Sequence, residues 1–329
     1  MMFRCFSKNW TQLLGIGIFM VGQPAFASQE TLERTFEVSP GGELAIRSDR
    51  GSIEIISGED SEVRIEVIPR GDLQDVADIE DEFDVHFDQS GNRVSLDIES
   101  HRRGIFRWFG WNRAKLHIRA RVPSQFSVDL KTSGGSISVE DLKGEARAAT
   151  SGGGLSFGRI EGTVWGRTSG GSVRLSESSG DADVRTSGGS IILGEVGGTI
   201  VARTSGGSIT VDRAVGSVVV STSGGRITLN EVLGSIEART SGGSVSANIS
   251  RQPEGNCYLK TSGGSITVRL ASNLGFNINA RTSGGRVKSD FAIRGGTRKK
   301  IQLTGELNAG GPELMLRTSG GSIRILDMP

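Results

Sequence analysis

The tetrapeptide Thr-Ser-Gly-Gly begins at Thr132, Thr150, Thr168, Thr186, Thr204, Thr222, Thr240, Thr261, Thr282 and Thr318. Six of the intervals are 18 residues, two are 21 and one is 36. A fixed period of this size dictates a repeat architecture, because a unit so short cannot bury an apolar face alone and must stack on its neighbours. Eighteen residues cannot hold a strand, an α-helix and the turns between them. They do hold two short strands and two tight turns.

Apolar residues alternate within each half-period. Ile137/Val139, Leu155/Phe157, Ile191/Leu193 and Ile209/Val211 follow the tetrapeptide, and Ala146/Ala148, Ile200/Ala202 and Val218/Val220 precede the next one. Period two sends such residues to one face of a strand. The predicted fold is therefore all-β, a single-chain β-solenoid of about 18 residues and two short strands per coil. Like stacks on like, with Ile over Ile inside and Thr over Thr at the corner. The 49 glycines are expected to supply the positive φ of tight corners. Counting the 36-residue interval as two coils gives a regular rod of roughly 50 Å at about 4.8 Å per coil.

Three segments are expected. Residues 1–27 read as a secretory signal peptide: Arg4 and Lys8 come first, then the apolar run Leu13 to Val21, then Ala25-Phe26-Ala27. The apolar run is too short for a membrane span, so the mature chain is expected to have none. Residues 28–123 hold the first coils, with Ser48-Asp49-Arg50-Gly51-Ser52-Ile53 as a degenerate copy of the repeat. They are interrupted by an acidic segment, a hairpin across Ser90-Gly91-Asn92 and an aromatic, basic loop, and together form an elaborated N-terminal cap. Residues 124–329 form the regular solenoid with a hairpin insertion near 290–303. With coils stacked in chain order, the coil at Thr318 becomes the far end and lacks a polar cap. That end suggests end-to-end self-association.

At the repeat columns the pattern x-R-T-S-G-G-S-I-x-V resembles a large bacterial family of exported β-solenoids, catalogued as adhesins around a domain of unknown function. The approach Pro123-Ser124-x-Phe126-x-Val128-x-Leu130 and the exit Asn308-x-Gly310-Gly311-Pro312 share the resemblance, which spans about residues 30–326. It implies the fold and an exported, envelope-associated protein. The family carries no catalytic residue set, so the resemblance assigns no chemistry.

Catalytic and metal readings find little support in the residues. His86, His101 and His117 all precede the regular coils, and His86 and His117 alternate with apolar neighbours as solvent-facing strand residues, so no base accompanies the repeated serines. The corners lack the Asp of calcium-binding solenoids, the chain lacks clustered His and Cys for zinc, and no GxxxxGK[ST] occurs. No cofactor is expected. Cys257 occupies an inward position and reads as a small core residue. Removing Arg4 and Lys8 leaves 36 of the 38 Lys and Arg against 37 Asp and Glu. The overall charge thus points to no polyanion, and no nucleic acid is expected as a partner.

Two clusters and one column stand out. Arg102, Arg103, Arg107, Trp108, Phe109 and Trp111 interleave cations with aromatic rings; His101 to Arg121 holds seven Lys/Arg and no acid, against fifteen acids and three bases over 54–99. Such a loop suits a membrane interface, a glycan or a partner protein, or else packs as part of the cap. Arg298, Lys299 and Lys300 form a second basic group on the C-terminal hairpin. The column Arg167, Arg185, Arg203, Arg239, Lys260, Arg281 and Arg317 precedes successive tetrapeptides, and stacked like charges call for acids or bound anions between them. The chain is read as a non-catalytic exported rod, periplasmic or on the cell surface. Its role is structural or adhesive, towards anionic envelope glycan or lipid or another envelope protein. A carbohydrate-active β-helix enzyme, with Trp165 beside Asp183, and a self-assembling envelope scaffold are the alternatives.

Overall fold

The structure, a computed structural model, describes residues 31–58, 61–73, 75–101 and 115–328. The expected signal peptide and residues 102–114, with Arg102, Arg103, Arg107, Trp108, Phe109 and Trp111, lie outside the described residues.

Each tetrapeptide is a corner between two strands, and these stack into two long sheets. Strands after the corner, such as Ile191–Val196, Ile209–Ala214 and Ile227–Val232, build the first sheet. Strands before it, such as Ala182–Arg185, Ile200–Arg203 and Val218–Ser221, build the second. Successive regular windings pair in parallel and in register, so Ile191 pairs with Ile209 and Ile209 with Ile227, save for a shift between Leu229 and Val232 against Val245–Ile249. This places identical side chains one strand spacing apart. The two inner faces meet in one continuous core along the whole stack. Small residues of the second sheet leave room for large ones of the first: a Cβ on Gly166 would lie 3.4 Å from the Phe157 ring and 3.2 Å from Leu155.

Among the described residues, the TSGG glycines do not have positive φ; that conformation is confined to turns and irregular sites such as Gly51, Gly91, Gly144 and Gly295. The expected reason for the repeated glycines is therefore corrected. A Cβ on the second glycine would overlap the preceding winding, 2.1 Å from the Gly189 oxygen for Gly207 and 2.1 Å from the Gly171 oxygen for Gly189. Glycine stands there because backbone packs on backbone. The threonine serves the same contact: Thr204 Oγ1 donates to the Gly189 carbonyl at 2.8 Å and Thr186 Oγ1 to that of Gly171 at 2.7 Å. The hydroxyls thus bond to glycine backbone rather than to each other, satisfying a carbonyl shut away from water.

The order of windings departs from chain order at both ends. Glu313–Thr318 lies between Cys257–Lys260 and Phe276–Thr282, parallel to both. In the first sheet Ile323–Asp327 lies between Ile266–Leu270 and Val287–Ser289. The winding at Thr318 is therefore internal, and the expected open last coil does not exist. The 36-residue interval contains a capping excursion instead of a further coil: Gln302–Leu307 runs antiparallel along Phe276–Thr282, and the short strands Ile293–Arg294 and Arg298–Lys299 pair with it. On the first sheet the end strand is Val287–Ser289, only three residues long, and short edge strands resist edge-to-edge pairing. End-to-end association through an uncapped final coil loses its basis.

The N-terminal end repeats this arrangement. Gly42–Ser48 and Ser52–Gly58 form the second winding, and Arg93–Ser100 with Lys115–Pro123 form the winding outside it. Phe83–Ser90 closes the second sheet as an antiparallel hairpin partner; Glu62–Arg70 and Leu32–Glu37 close the first. The helix Val76–Glu82 joins them, capped by Asp75 accepting from the Asp78 N–H at 3.0 Å and anchored by buried Ile79.

Cys257 sits 1% exposed in the core, and burial pushes its thiol up to about 11. Since the thiolate is the nucleophile, iodoacetamide at neutral pH is expected to leave Cys257 unlabelled in the native protein and to label it fully in denaturant. Native labelling at the rate of a free thiol, read by mass spectrometry, would mean that this winding opens.

Candidate functional site

The outer face of the second sheet carries the charged column. Register places Lys131, Ala149, Arg167, Arg185, Arg203, Ser221 and Arg239 in successive windings, followed by Lys260, Arg317 and Arg281. A parallel column two residues earlier holds Arg147, Trp165, Asp183, Val201, Val219, Glu237 and Tyr258. Alternation on the strand turns both columns outward.

The protein neutralises part of this charge itself. Arg167 grips Asp183 with two nitrogens at 3.0 and 2.9 Å while its guanidinium lies 4.6 Å from the Trp165 ring centre. Arg185 approaches the same carboxylate at 3.5 Å. Burial raises the Asp183 pKa, but the Arg167 hydrogen bond and the charges of Arg167, Arg185 and Arg203 outweigh it, and the carboxyl is held below its ordinary value. With the folded value depressed, this contribution to stability is present at neutral pH and is lost as pH falls through that value. Arg239 pairs with Glu237 and stacks 4.9 Å from Tyr258. Asp183 and Glu237 are three windings apart, too far to work on one glycosidic bond.

Arg203, Lys260 and Arg281 form no close ion pair among the described residues, although the charge of Arg203 reaches Asp183. Arg317 hydrogen-bonds the Asn279 side chain at 2.8 Å and its carbonyl at 2.7 Å. Interposing the winding at Thr318 brings Lys260, Arg317 and Arg281 into consecutive layers. Arg281 is opposite Gln302 and Gln302 opposite Lys299, so the same row runs onto the capping hairpin. Arg298, Lys299 and Lys300 are exposed there. Chain order stacks the same three cations as Lys260, Arg281 and Arg317; the interposed winding puts Arg317 in the middle and leaves Arg281 beside the hairpin. Within the column, Arg185 forms an ion pair with Asp183, whereas Arg203 acts on it only through its charge.

One constellation eludes sequence reading. His117 is half-buried rather than solvent-facing: Nδ1 lies 2.9 Å from Ser52 Oγ and Nε2 3.1 Å from Glu54. No local signal could point to it, since the partners sit 65 and 63 residues away. Arg119 holds the same carboxylate at 2.9 Å, and this bond, set against burial and helped by His117, keeps Glu54 below its ordinary value. Ser52, Glu54 and His117 lie along one pleated face, where they cross-link two windings. Among the described residues no group of His, Cys, Asp and Glu is placed to hold a metal ion, and no helix is long and apolar enough to cross a membrane.

Residues 42–326 match the Toastrack DUF4097 family. The chain belongs to that family. Among solved structures, the Toastrack chain is similar to a putative adhesin from Bacteroides fragilis, at 13% identity over 92% of this chain and 98% of the other, with a TM-score of 0.31. It is likewise similar to a putative cell adhesion protein from Clostridium sporogenes (14%, covering 91% and 100%, TM-score 0.22). A putative lipid binding protein from Parabacteroides distasonis gives 14%, 92% and 98%, with a TM-score of 0.38. Likenesses this distant carry no argument about ligand or activity. No curated protein matches the Toastrack chain.

Proposed function

We propose that this protein is a non-catalytic binding rod of the bacterial envelope, whose second-sheet face engages acidic glycan or lipid polyanions. The observation that carries this is the in-register row Lys260, Arg317, Arg281, Gln302 and Lys299, which contains no acid. Cations at strand spacing repel one another, and an extended polyanion laid along the stack would relieve several at once. The outward Trp165 and Tyr258 add flat surfaces on which sugar rings can stack. Export to the envelope rests on the leader at 1–27.

The test is binding of lipopolysaccharide and of an acidic polysaccharide as a function of sodium chloride. The intact protein is expected to lose affinity steeply with salt. Changing Lys260 and Arg281 to Gln is expected to weaken binding roughly tenfold or more and to flatten that salt slope; Arg185→Gln with Arg203→Gln should cost less, since Arg185 already leans on Asp183. Equal affinity in all three proteins would end this reading.

A further inference from the structure

The packed corner column opens at one place. In the regular windings the first glycine of each tetrapeptide rests on the winding before it. A Cβ on Gly152, Gly170 or Gly206 would stand 3.3, 3.1 or 3.2 Å from the preceding glycine oxygen. The N–H groups of Gly152, Gly170 and Gly188 donate backward to Ser133, Ser151 and Ser169 at 3.2, 3.0 and 2.9 Å. At Gly134 both relations stop: a Cβ there would meet nothing within 4 Å, and its N–H has no such acceptor among the described residues.

The cause is the degenerate repeat. Register pairs Ser48 with Thr132, so Arg50 occupies the place of the first glycine. One winding farther out come Lys115 and Leu116, and beyond them Arg70, directly opposite Lys115. What forms is a cavity of about 570 Å³ lined by Arg50, Arg70, Lys115, Ser52, Leu116 and Gly134, among others. Its lining includes three cations and no carboxylate. None of the three cations has an ion-pair partner among the described residues. The stretch His101–Arg113 that leads into Lys115 contains no acid either.

A second hollow at this end makes the contrast. It measures about 640 Å³ and holds Arg93 and Arg147, but Glu43 and Glu145 line it too and pair with them at 3.1 and 3.0 Å. Its charge is spent internally. That of the Arg50 hollow is not.

We propose that the Arg50, Arg70 and Lys115 hollow is a binding site for a phosphomonoester group carried on a small polar body such as a sugar or glycerol. Three cations lining one hollow suit a doubly charged oxyanion through charge-assisted hydrogen bonds, and the unspent Gly134 N–H adds a neutral donor. The cavity exceeds a bare phosphate and lies in the size range of small-ligand sites. Leu116 and the glycine backbone supply an apolar wall for the carbon part. The site is at the opposite end of the stack from Lys260, Arg317 and Arg281, and it stands whether or not that row binds a polymer.

The experiment uses the intact protein and two probes at constant ionic strength. Glycerol phosphate is titrated calorimetrically, and phosphatidylcholine vesicles with and without phosphatidic acid are tested by co-sedimentation. Saturable binding in either arm is expected, and the responding arm tells a soluble phosphate ester from a lipid headgroup. Arg50→Gly restores the regular corner; combined with Arg70→Gln and Lys115→Gln it is expected to weaken binding at least tenfold, with the thermal melt unchanged. Lys260→Gln with Arg281→Gln is expected to leave it intact. Absence of saturable binding in both arms, or binding unaltered in the triple variant, would overturn the proposal.

Discussion

Deleting residues 313–329 is expected to unfold the C-terminal end of the stack rather than shorten it by one winding. The segment places Leu314, Leu316, Ile323 and Ile325 in the core, each 0% exposed. At roughly 1.5–3 kcal/mol for each buried side chain, the lost burial is on the order of 6–12 kcal/mol, comparable with the whole stability of many domains. Position makes the loss worse. Phe276–Thr282 and Val287–Ser289 reach the rest of the stack through parallel pairing with Glu313–Thr318 and Ile323–Asp327. Without that layer the capping hairpin has nothing to stand on, and Cys257–Lys260 and Ile266–Leu270 become open edges prone to intermolecular pairing. Limited proteolysis is expected to cut from about residue 271 onward, with a lower melting temperature and concentration-dependent aggregation. In a solenoid stacked in chain order, the loss of a terminal repeat would be local and mild. Protection through Ser289 equal to that of the intact chain would show that the Phe276 winding re-docks on Cys257–Lys260 and that the interposed layer is dispensable.

The same layer shows what sequence reading could and could not reach. Columns such as Ile191, Ile209 and Ile227 were legible because stacking at a fixed period turns sequence position directly into spatial position. Trp165 beside Asp183 followed from the same arithmetic, and the Toastrack assignment bears out the resemblance seen in the corner motif. Where the period lapses, that translation fails. Nothing local in Glu313–Asp327 distinguishes a winding added at the end from one inserted a layer earlier, since both present the same alternation to the same neighbours. The column Lys260, Arg281 and Arg317 was therefore legible as a column, but not the order of its layers, with Arg317 between the other two, nor its continuation to Gln302 and Lys299. Arg50 was likewise recorded as part of a degenerate repeat, but the cavity it borders depends on Arg70 and Lys115, which arrive from strands outside the regular period. The carboxylates partnering Arg167 and Arg239 answer part of the expectation that stacked cations call for acids or bound anions between them, since side-chain length lets Asp183 and Glu237 lean across.

Replacing Gly207 by Ala is expected to be among the most damaging single changes in the chain, and it separates two explanations of the repeated glycines. If glycine were required for left-handed φ, both glycines of a corner would resist substitution for the same conformational reason. Neither Gly206 nor Gly207 has positive φ, so alanine is backbone-compatible at both and only space differs. A Cβ on Gly207 would stand 2.1 Å from the Gly189 oxygen, 2.4 Å from its carbon and 2.6 Å from the Ser190 nitrogen. All three are backbone atoms held in the packed corner by hydrogen bonds with Thr204 and Ser172, so relief requires the windings to part. That also breaks the Thr204 hydrogen bond to the Gly189 carbonyl. A cost above about 3 kcal/mol is expected, beyond ordinary overpacking. On Gly206 the nearest atom is the Gly188 oxygen at 3.2 Å, a contact that yields by a few tenths of an ångström, and about 1 kcal/mol is expected. On Gly134 nothing lies within 4 Å, and the change is expected to stay within about 0.5 kcal/mol. Thermal melts rank the three variants, and hydrogen exchange locates the damage, which for Gly207→Ala should centre on the windings at Thr186 and Thr204. Equal tolerance of alanine at all three positions would mean that close backbone contact between windings is not what fixes the glycine columns.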